Sequence, residues 1–239
     1  MLLEVNNLCV EYNKIPAVRN LSFHINEGEI VCFVGPNGAG KSTTALTVAG
    51  ILRPSSGTVA FAGKPVTRMP AEKIAALGVS LVPEGRRIFG RMTVRENLIV
   101  GASLPRAAGS QKQGLEKVLD LFPILRERRD RLAGTMSGGE QQQLAIARAM
   151  MTSPRLMIID EPSLGLAPQF VDLVFSTFAT LRNEGVTLLV IEQSSRRALA
   201  LADRLYLVRS GGVVMHGEVA ALTADPDFEA AYFGEVGAR

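Results

Sequence analysis

A chain of 239 residues, 47% hydrophobic and 21% charged, is long enough for one large α/β domain or two packed subdomains without disulfides or metals. Its formal net charge of +3 is too small to indicate nucleic-acid binding, and two cysteines are too few for a disulfide framework. The N-terminal run has no early Lys or Arg, and no apolar run approaches the ~20 residues of a membrane-spanning helix, so we expect neither a signal peptide nor a transmembrane segment.

Short β-rich runs alternate with longer helical patterns, which predicts an α/β fold with a mostly parallel sheet. Cys9 and Cys32 lie in two of these runs, where we expect buried, reduced thiols. Turns are predicted at Gly63–Pro65 and Gly211–Gly212. The predicted strands are Leu2–Tyr12, Ser22–Ile25, Glu29–Val34, Gly57–Phe61, Val79–Val82, Leu156–Ile159, Val186–Ile191, Arg204–Val208 and Val213–His216.

The stretch from about Glu84 to Thr135 differs from the rest because its apolar residues recur at helical spacing. Examples are Val94, Leu98 and Leu115. We therefore expect a helical insert in the α/β part. It carries a cluster of arginines that forms either a solvated helix face or a docking surface, at positions 126, 128, 129 and 131.

Residues 35–42 match the phosphate-binding pattern GxxxxGK[ST], between an apolar strand and the helix-compatible run Thr43–Gly50. The glycines accept positive φ, which lets backbone amides and a helix N-terminus surround an anion. Lys41 supplies charge to the outer phosphates and Ser42 a hydroxyl for Mg²⁺. The alternative is a glycine-rich turn without a ligand. The expected nucleotide-binding residues are Gly35, Pro36, Asn37, Gly38, Ala39, Gly40, Lys41, Ser42 and Thr43.

The apolar strand Leu156–Ile159 ends in two carboxylates, Asp160 and Glu161. Ligands of open α/β sheets bind at the carboxyl ends of the strands, and adjacent strand residues point to opposite sides. We therefore assign Asp160 to Mg²⁺, through water, and Glu161 to the attacking water as general base. The alternative is a pair that only solvates the end of the strand.

Ser137 and Glu140 have the spacing of a capping box ahead of a helical run at Gln141–Met151. A cap alone does not explain Gly138 and Gly139, because each glycine costs about 1 kcal/mol inside a helix. Two glycines at this point indicate that a ligand approaches the bare backbone. The chain thus has a second helix N-terminus suited to phosphate, at Ser137, Gly138 and Gly139.

The segment Met136–Gln141 resembles the LSGGQ signature of the ABC ATPases, with Met136 for Leu and Glu140 for Gln. The order of phosphate loop, helical insert, signature and acidic strand is also that of the family, over nearly the whole chain. The resemblance implies a P-loop NTPase ABC cassette as a single domain over 1–239. Its α/β core with an antiparallel β subdomain would occupy 1–83 and 156–239, and its helical subdomain about 84–155.

In that family, two cassettes associate head to tail around ATP, which lies between the phosphate loop of one and the signature of the other. The resemblance therefore implies ATP and Mg²⁺ as cofactors and ATP hydrolysis coupled to transport as the activity. Ser137, Gly138 and Gly139 would contact nucleotide held by a partner cassette. Tyr12 matches the aromatic residue that stacks on adenine; the alternative is an ordinary strand aromatic.

Three positions depart from the family pattern. Glu84 replaces a Gln, so it offers an oxygen to Mg²⁺ beside the reacting phosphate but no amide donor. Ala167 replaces an Asp at the cassette interface and cannot pair across it. Gln193 replaces the switch His; it can donate to a γ-phosphate oxygen but cannot take up a proton near neutral pH. The last change favours Glu161 as the base.

These departures match a subfamily: the segments 82–87, 93–98, 161–168, 192–194 and 231–235 resemble the second ATPase of branched-chain amino acid importers. That subunit implies a homologous ATPase partner, with homodimer and heterodimer both open, two membrane permease chains and, indirectly, an extracytoplasmic solute-binding protein. It would lie peripherally at the cytoplasmic face of the inner membrane, with no nucleic-acid partner. The alternatives are an ABC ATPase for urea, short-chain amides or another solute, and a non-transport ABC ATPase.

Overall fold

The structure, a computed structural model, describes residues 1–102, 111–193, 196–224 and 228. The segment 231–235, one of those that resemble the importer ATPase, and Ser194 lie outside this range. The strands are β1 Leu3–Tyr12, β2 Ile15–Ile25, β3 Ile30–Val34, β4 Ser56–Phe61, β5 Lys64–Pro65, β6 Val79–Val82, β7 Leu156–Asp160, β8 Thr187–Glu192, β9 Arg204–Arg209 and β10 Gly212–Glu218. The helices are α1 Lys41–Val48, α2 Ala71–Leu77, α3 Val94–Gly101, α4 Gln111–Leu121, α5 Pro123–Glu127, α6 Gly138–Met150, α7 Pro168–Asn183, α8 Arg196–Leu201 and α9 Val219–Leu222, with a 3₁₀ turn at Ala133–Thr135.

The larger sheet has the order β10-β9-β3-β8-β7-β6, and its strands are parallel except for β10. The strands of the smaller sheet, β2-β1-β4-β5, are all antiparallel. The predicted α/β fold with a mostly parallel core sheet and an antiparallel β part is therefore confirmed. None of the helices in the described ranges is long and apolar enough to span a bilayer.

The prediction for β2 was wrong at its N-terminal end, because the strand begins at Ile15 rather than Ser22. The pairing register with β1 shifts between Val18 and Leu21, and Asn20 lies there at φ 49°. Such a bulge breaks the alternation of buried and exposed residues by which a strand is detected. A second, smaller correction concerns the turn predicted at 63–65: the chain turns at 62–63, and Lys64–Pro65 already pair with β4.

The central strand β3 is buried on both faces. Ile30, Cys32 and Val34 belong to the core shared with the helices of the 94–186 region, whereas Val31 and Phe33 belong to the core shared with the antiparallel sheet. The core sheet therefore separates two hydrophobic layers, as a continuous apolar strand requires. Cys32 is buried as predicted, and burial raises the pKa of its thiol, but the same prediction was wrong for Cys9, which is only partly buried.

The region of helical periodicity, from about 84 to 135, contains α3, α4, α5 and the 3₁₀ turn. Its described residues include one isolated β-bridge, between Thr93 and Leu132. Its first helix begins only at Val94, behind a capping box formed by Thr93 and Glu96. The arginine cluster does not form one helix face, because α5 ends at Glu127. Three of its members pair with carboxylates: Arg126 with Glu116 and Asp120, Arg128 with Glu140, and Arg129 with Asp130.

The buried side chain of Asn97 organises the loop between Glu84 and α3. Its Oδ1 accepts a hydrogen bond from the Phe89 amide at 2.9 Å, and its Nδ2 donates to the carbonyls of Phe89 at 3.0 Å and Thr93 at 2.9 Å. The Asn97 side chain therefore provides hydrogen-bond partners for backbone groups of the loop that are not paired in a strand or helix.

We expect Asn97→Ala to lower the free energy of unfolding by about 2–4 kcal/mol, because the amide and the carbonyl of Phe89 lose their side-chain partner and a cavity forms at the buried side chain. Urea unfolding measures this difference. Arg95→Ala, on the exposed side of the same helix, is the matched control and should change stability by no more than about 0.5 kcal/mol. Equal stabilities of the Asn97 and Arg95 variants would contradict the role given to Asn97.

Candidate active site

Three neighbouring parallel strands bring the predicted site residues to one edge of the core sheet. Strands β3, β8 and β7 are adjacent, and they lead into the phosphate loop (residues 35–42), Gln193 and Glu161 respectively. A cavity of about 480 Å³ opens at this edge. It is lined by Ala17, Asn37, Gly38, Ala39, Gly40, Lys41, Ser42, Thr43, Glu84, Glu161, Leu164 and Gln193.

The phosphate loop turns into α1 at Gly40, which has φ 99°. A Cβ at this position would clash with the Ala17 carbonyl of β2, so only glycine allows the loop to pack there. Lys41, only 4% exposed, donates from Nζ to the carbonyls of Gly35 at 2.7 Å and Pro36 at 3.1 Å. The ammonium is thus held over the loop, where a helix N-terminus also favours an anion.

The carboxylate of Glu161 forms a buried ion pair with Lys41, with Oε1 3.5 Å from Nζ. Burial raises the pKa of Glu161 to about 7, against the opposing effect of Lys41, and the nearby carboxylates of Glu192 and Asp160 raise it further. Glu161 has φ 49°, an unfavourable backbone conformation for a residue other than glycine. Its amide donates to the Ile191 carbonyl at 3.0 Å, which fixes the turn after β7.

Asp160 faces the start of α1. Its Oδ1 accepts a hydrogen bond of 3.0 Å from the Ser42 hydroxyl, and the residue is 6% exposed. Burial, reinforced by the negative charge of Glu84, raises the pKa of Asp160. A bound cation would offset this unfavourable concentration of negative charge. Ser42 Oγ and Asp160 Oδ1 are hard oxygen ligands of the kind that Mg²⁺ prefers. The three residues predicted as metal ligands, Ser42, Asp160 and Glu84, therefore fit such an ion.

Tyr12 and Gln193 lie at the margins of the site. Tyr12, at the end of β1, is 46% exposed; its hydroxyl lies 3.5 Å from Thr43 Oγ1, and it does not line the cavity. Gln193 lines the cavity, and its carbonyl accepts a hydrogen bond of 3.0 Å from the Gly35 amide. The phosphate loop and the end of β8 are thus joined directly through their backbones.

The predicted capping box of α6 is present. Ser137 N–H donates to Glu140 Oε2 at 2.8 Å, and Glu140 N–H donates to Ser137 Oγ at 3.4 Å. The prediction that a ligand explains both glycines was wrong for Gly139, because a Cβ on Gly139 would clash with the ring of Phe170 in α7. Close helix packing within the chain therefore already requires glycine at 139. None of Ser137, Gly138 and Gly139 lines the cavity at the phosphate loop.

The loop that carries Glu84 is fastened to α6. Arg86 and Arg87 both have positive φ, 65° and 48°, and their carbonyls accept hydrogen bonds of 3.3 and 2.8 Å from Arg148 Nη2. The Arg148 guanidinium also lies 5.2 Å from the ring centroid of Phe89. The Arg148 side chain of α6 therefore helps to hold a strained loop at the edge of the cavity, together with Gln141, whose Oε1 accepts a hydrogen bond of 3.4 Å from Arg86.

Sequence reasoning assigned no part in the site to Ala17, Ser163, Leu164 or Glu192. Ala17 was missed because the first half of β2 was missed, although it approaches the phosphate loop from across the sheets. Glu192 is 2% exposed and ends β8 as Asp160 ends β7. That parallel, an apolar strand that ends in a carboxylate, is the pattern that would have revealed it.

The sequence and the fold are both similar to those of known ATP-binding transport proteins. The ABC transporter family model matches residues 18–164. The chain is 45% identical to the high-affinity branched-chain amino acid transport ATP-binding protein BraG of Pseudomonas aeruginosa, over 98% of this chain and 100% of BraG, and 32% identical to BraF of the same organism, over 98% of each. A crystal structure of an ATP-binding cassette of an ABC transporter, in its ADP conformation, matches with a TM-score of 0.84 at 28% identity, covering 98% of each chain.

The chain therefore belongs to the ABC transporter family, as the phosphate loop, signature and acidic strand predicted. The domain that defines this family is an ATPase, so the chain binds and hydrolyses ATP.

We expect Lys41→Ala to weaken ATP binding about 10- to 100-fold, because the loop loses a charge-assisted hydrogen-bond donor to phosphate. Titration with a fluorescent ATP analogue measures the dissociation constant. Lys64→Ala, which removes an exposed lysine from β5, is the control and should bind as the native chain does. Native affinity in the Lys41 variant would contradict the assignment of this side chain.

Proposed function

We propose that this chain is the second ATPase of an ABC importer for branched-chain amino acids. The observation that carries the proposal is the identity with BraG, 45% over the full length of that protein, against 32% with BraF of the same organism. One organism thus has two different ATP-binding proteins for this transport, and the chain is more similar to one of them. This asymmetry favours a heterodimer in which a BraF-like subunit is the partner.

Within the proposed ATPase cycle, Glu161 is the general base for the attacking water, and Gln193 donates a hydrogen bond to a γ-phosphate oxygen. Mg²⁺, held by Ser42, Glu84 and, through water, Asp160, would neutralise charge on the phosphates. The buried pair between Lys41 and Glu161 supports these roles. Phosphate offers Lys41 a second anionic partner, and this weakens the hold of the ammonium on the carboxylate that must accept a proton.

Residues 1–239 act in this proposal as one cassette, with the helical subdomain at about 84–155. Ser137, Gly138 and Gly139 bind the nucleotide of the partner cassette at the N-terminus of α6, and Tyr12 stacks on adenine in the chain's own site. The exposed ring of Tyr12 beside Thr43 and the exposed cap residue Ser137 support these two roles. Ala167, the N-cap of α7, supplies no side chain for pairing across the interface.

The proposed assembly places the cassette pair peripherally at the cytoplasmic face of the inner membrane. Two permease chains cross the membrane, and a solute-binding protein delivers the amino acid from the other side. The cassette itself has no contact with the solute, so its identity must be tested on the assembled transporter.

We expect Glu161→Gln to lower the turnover number about 10²- to 10⁴-fold while ATP remains bound, because the amide cannot accept the proton of the attacking water. Single-turnover measurements with labelled ATP separate the chemical step from binding. Glu27→Gln, on the exposed surface, controls for the loss of a carboxylate. Near-native hydrolysis by the Glu161 variant would rule out this residue as the base.

The tagged Glu161→Gln variant, isolated from gently solubilised native membranes with ATP and Mg²⁺, tests the assembly. We expect two polytopic chains and a second, related ATPase to co-purify, and the reconstituted complex of the native chains to take up leucine with ATP hydrolysis. Uptake of urea or an amide instead would overturn the cargo and leave the transport motor. Recovery of ribosomal or DNA-associated partners without membrane chains would reject transport.

A further inference from the structure

The carboxylate of Glu192 is buried beside the site but takes no part in the reaction proposed above. Glu192 is the last residue of β8 and is 2% exposed. Its Oε1 accepts a hydrogen bond of 3.2 Å from the Ser163 amide, and its Oε2 accepts one of 2.9 Å from the Ser163 hydroxyl. The backbone N–H of Gln193 also donates a hydrogen bond to the Glu192 carboxylate. These contacts orient the carboxylate between two segments of the site.

Ser163 belongs to the loop that begins at Glu161 and ends at α7. Within the loop, the Leu164 amide donates to the Glu161 carbonyl at 3.2 Å, so the backbone at Ser163 is tied to that of Glu161. Strand β8 holds the same loop at a second point, where its Ile191 carbonyl accepts the Glu161 amide at 3.0 Å. The base and the end of β8 are therefore connected on both sides of the strained turn.

Burial of a carboxylate carries a free-energy penalty, because the charge loses its hydration. Burial raises the pKa of Glu192, although the hydrogen bonds from Ser163 oppose the effect. An apolar side chain of similar volume would avoid the desolvation cost, but it would leave the donors of Ser163 and Gln193 without an acceptor. A charged acceptor forms hydrogen bonds about twice as strong as a neutral one, and it fixes the direction of its donors. The carboxylate of Glu192 therefore holds the backbone and side chain of Ser163 in one orientation.

We propose that Glu192 is a positioning residue that fixes the loop 161–167, through Ser163, so that the Glu161 carboxylate stays in place beside the phosphate loop. This inference rests on the proposed role of Glu161 as the base. Glu192 touches neither phosphate nor water in this account. Its loss should therefore slow the chemical step and leave ATP binding, which depends on the phosphate loop, nearly unchanged.

The test compares steady-state ATP hydrolysis by variants of the full chain, purified with the partners that accompany it. We expect Glu192→Leu to lower kcat about 10- to 100-fold, since small displacements of a reacting group have effects of this size, with KM for ATP within about 2-fold. Glu192→Gln, which keeps one acceptor, should recover part of the loss. Ser163→Ala should lower kcat as well, and the double variant Ser163→Ala with Glu192→Leu should be no slower than the slower single variant.

Glu29→Gln is the control for Glu192→Gln, because Glu29 also accepts a backbone hydrogen bond, from Asn26, but lies just before β3, at the opposite end of the parallel strands. It should hydrolyse ATP as the native chain does. If Glu192→Leu fails to fold, Ser163→Ala still tests the link, because it removes a donor and adds no cavity in the core.

Additive losses in the double variant, a native kcat in Ser163→Ala, or a rise in KM without a fall in kcat would each overturn the positioning role. Glu161→Gln is measured in parallel. If that variant keeps native hydrolysis, the assignment of the base fails and the inference fails with it. If it is inactive while Glu192→Leu is native-like, only the inference fails.

Discussion

One ammonium group and three carboxylates are buried together at the carboxyl edge of the core sheet. Lys41 is the only cation in direct contact with Glu161 among the described residues, while Asp160 and Glu192 add two further negative charges nearby. Burial raises the pKa of each of the three acids, and neighbouring carboxylates raise the pKa of Glu161 and Asp160 further. The adjacent parallel strands β3, β8 and β7 place these groups at the same edge of the sheet. The excess of carboxylates there favours binding of a metal cation.

Much of this centre could be predicted from the sequence, since the phosphate loop and the acidic strand are local patterns. The central strands were also predictable, because strands buried on both faces are continuous apolar runs. Two features were not. The first half of β2 was hidden by a bulge at Asn20, and the packing of Gly139 on Phe170 joins two helices distant in sequence. Both depend on an irregularity or a tertiary contact that periodicity does not record. Glu192 follows the same strand-end pattern as Asp160, but its partner Ser163 is known only from the fold.

The loop that carries Glu84 is linked to α6 by the guanidinium of Arg148 and by a hydrogen bond from Arg86 to Gln141. Two successive non-glycine residues in the left-handed region, Arg86 and Arg87, are kept there by the donors of Arg148. A left-handed conformation costs a non-glycine residue about 1–3 kcal/mol, and the contacts with α6 offset this cost. The side chains of α6 therefore tie this helix to the loop that carries Glu84.

Strand β3 lies between the two hydrophobic layers and couples their unfolding. Alternate residues of one five-residue strand anchor both layers, so neither layer can melt while the other keeps its native packing. The amide hydrogens of β3 and of its neighbours β8 and β9 are thus expected to exchange with solvent only through global unfolding. The strands that position the candidate site therefore belong to the slowest-exchanging part of the protein.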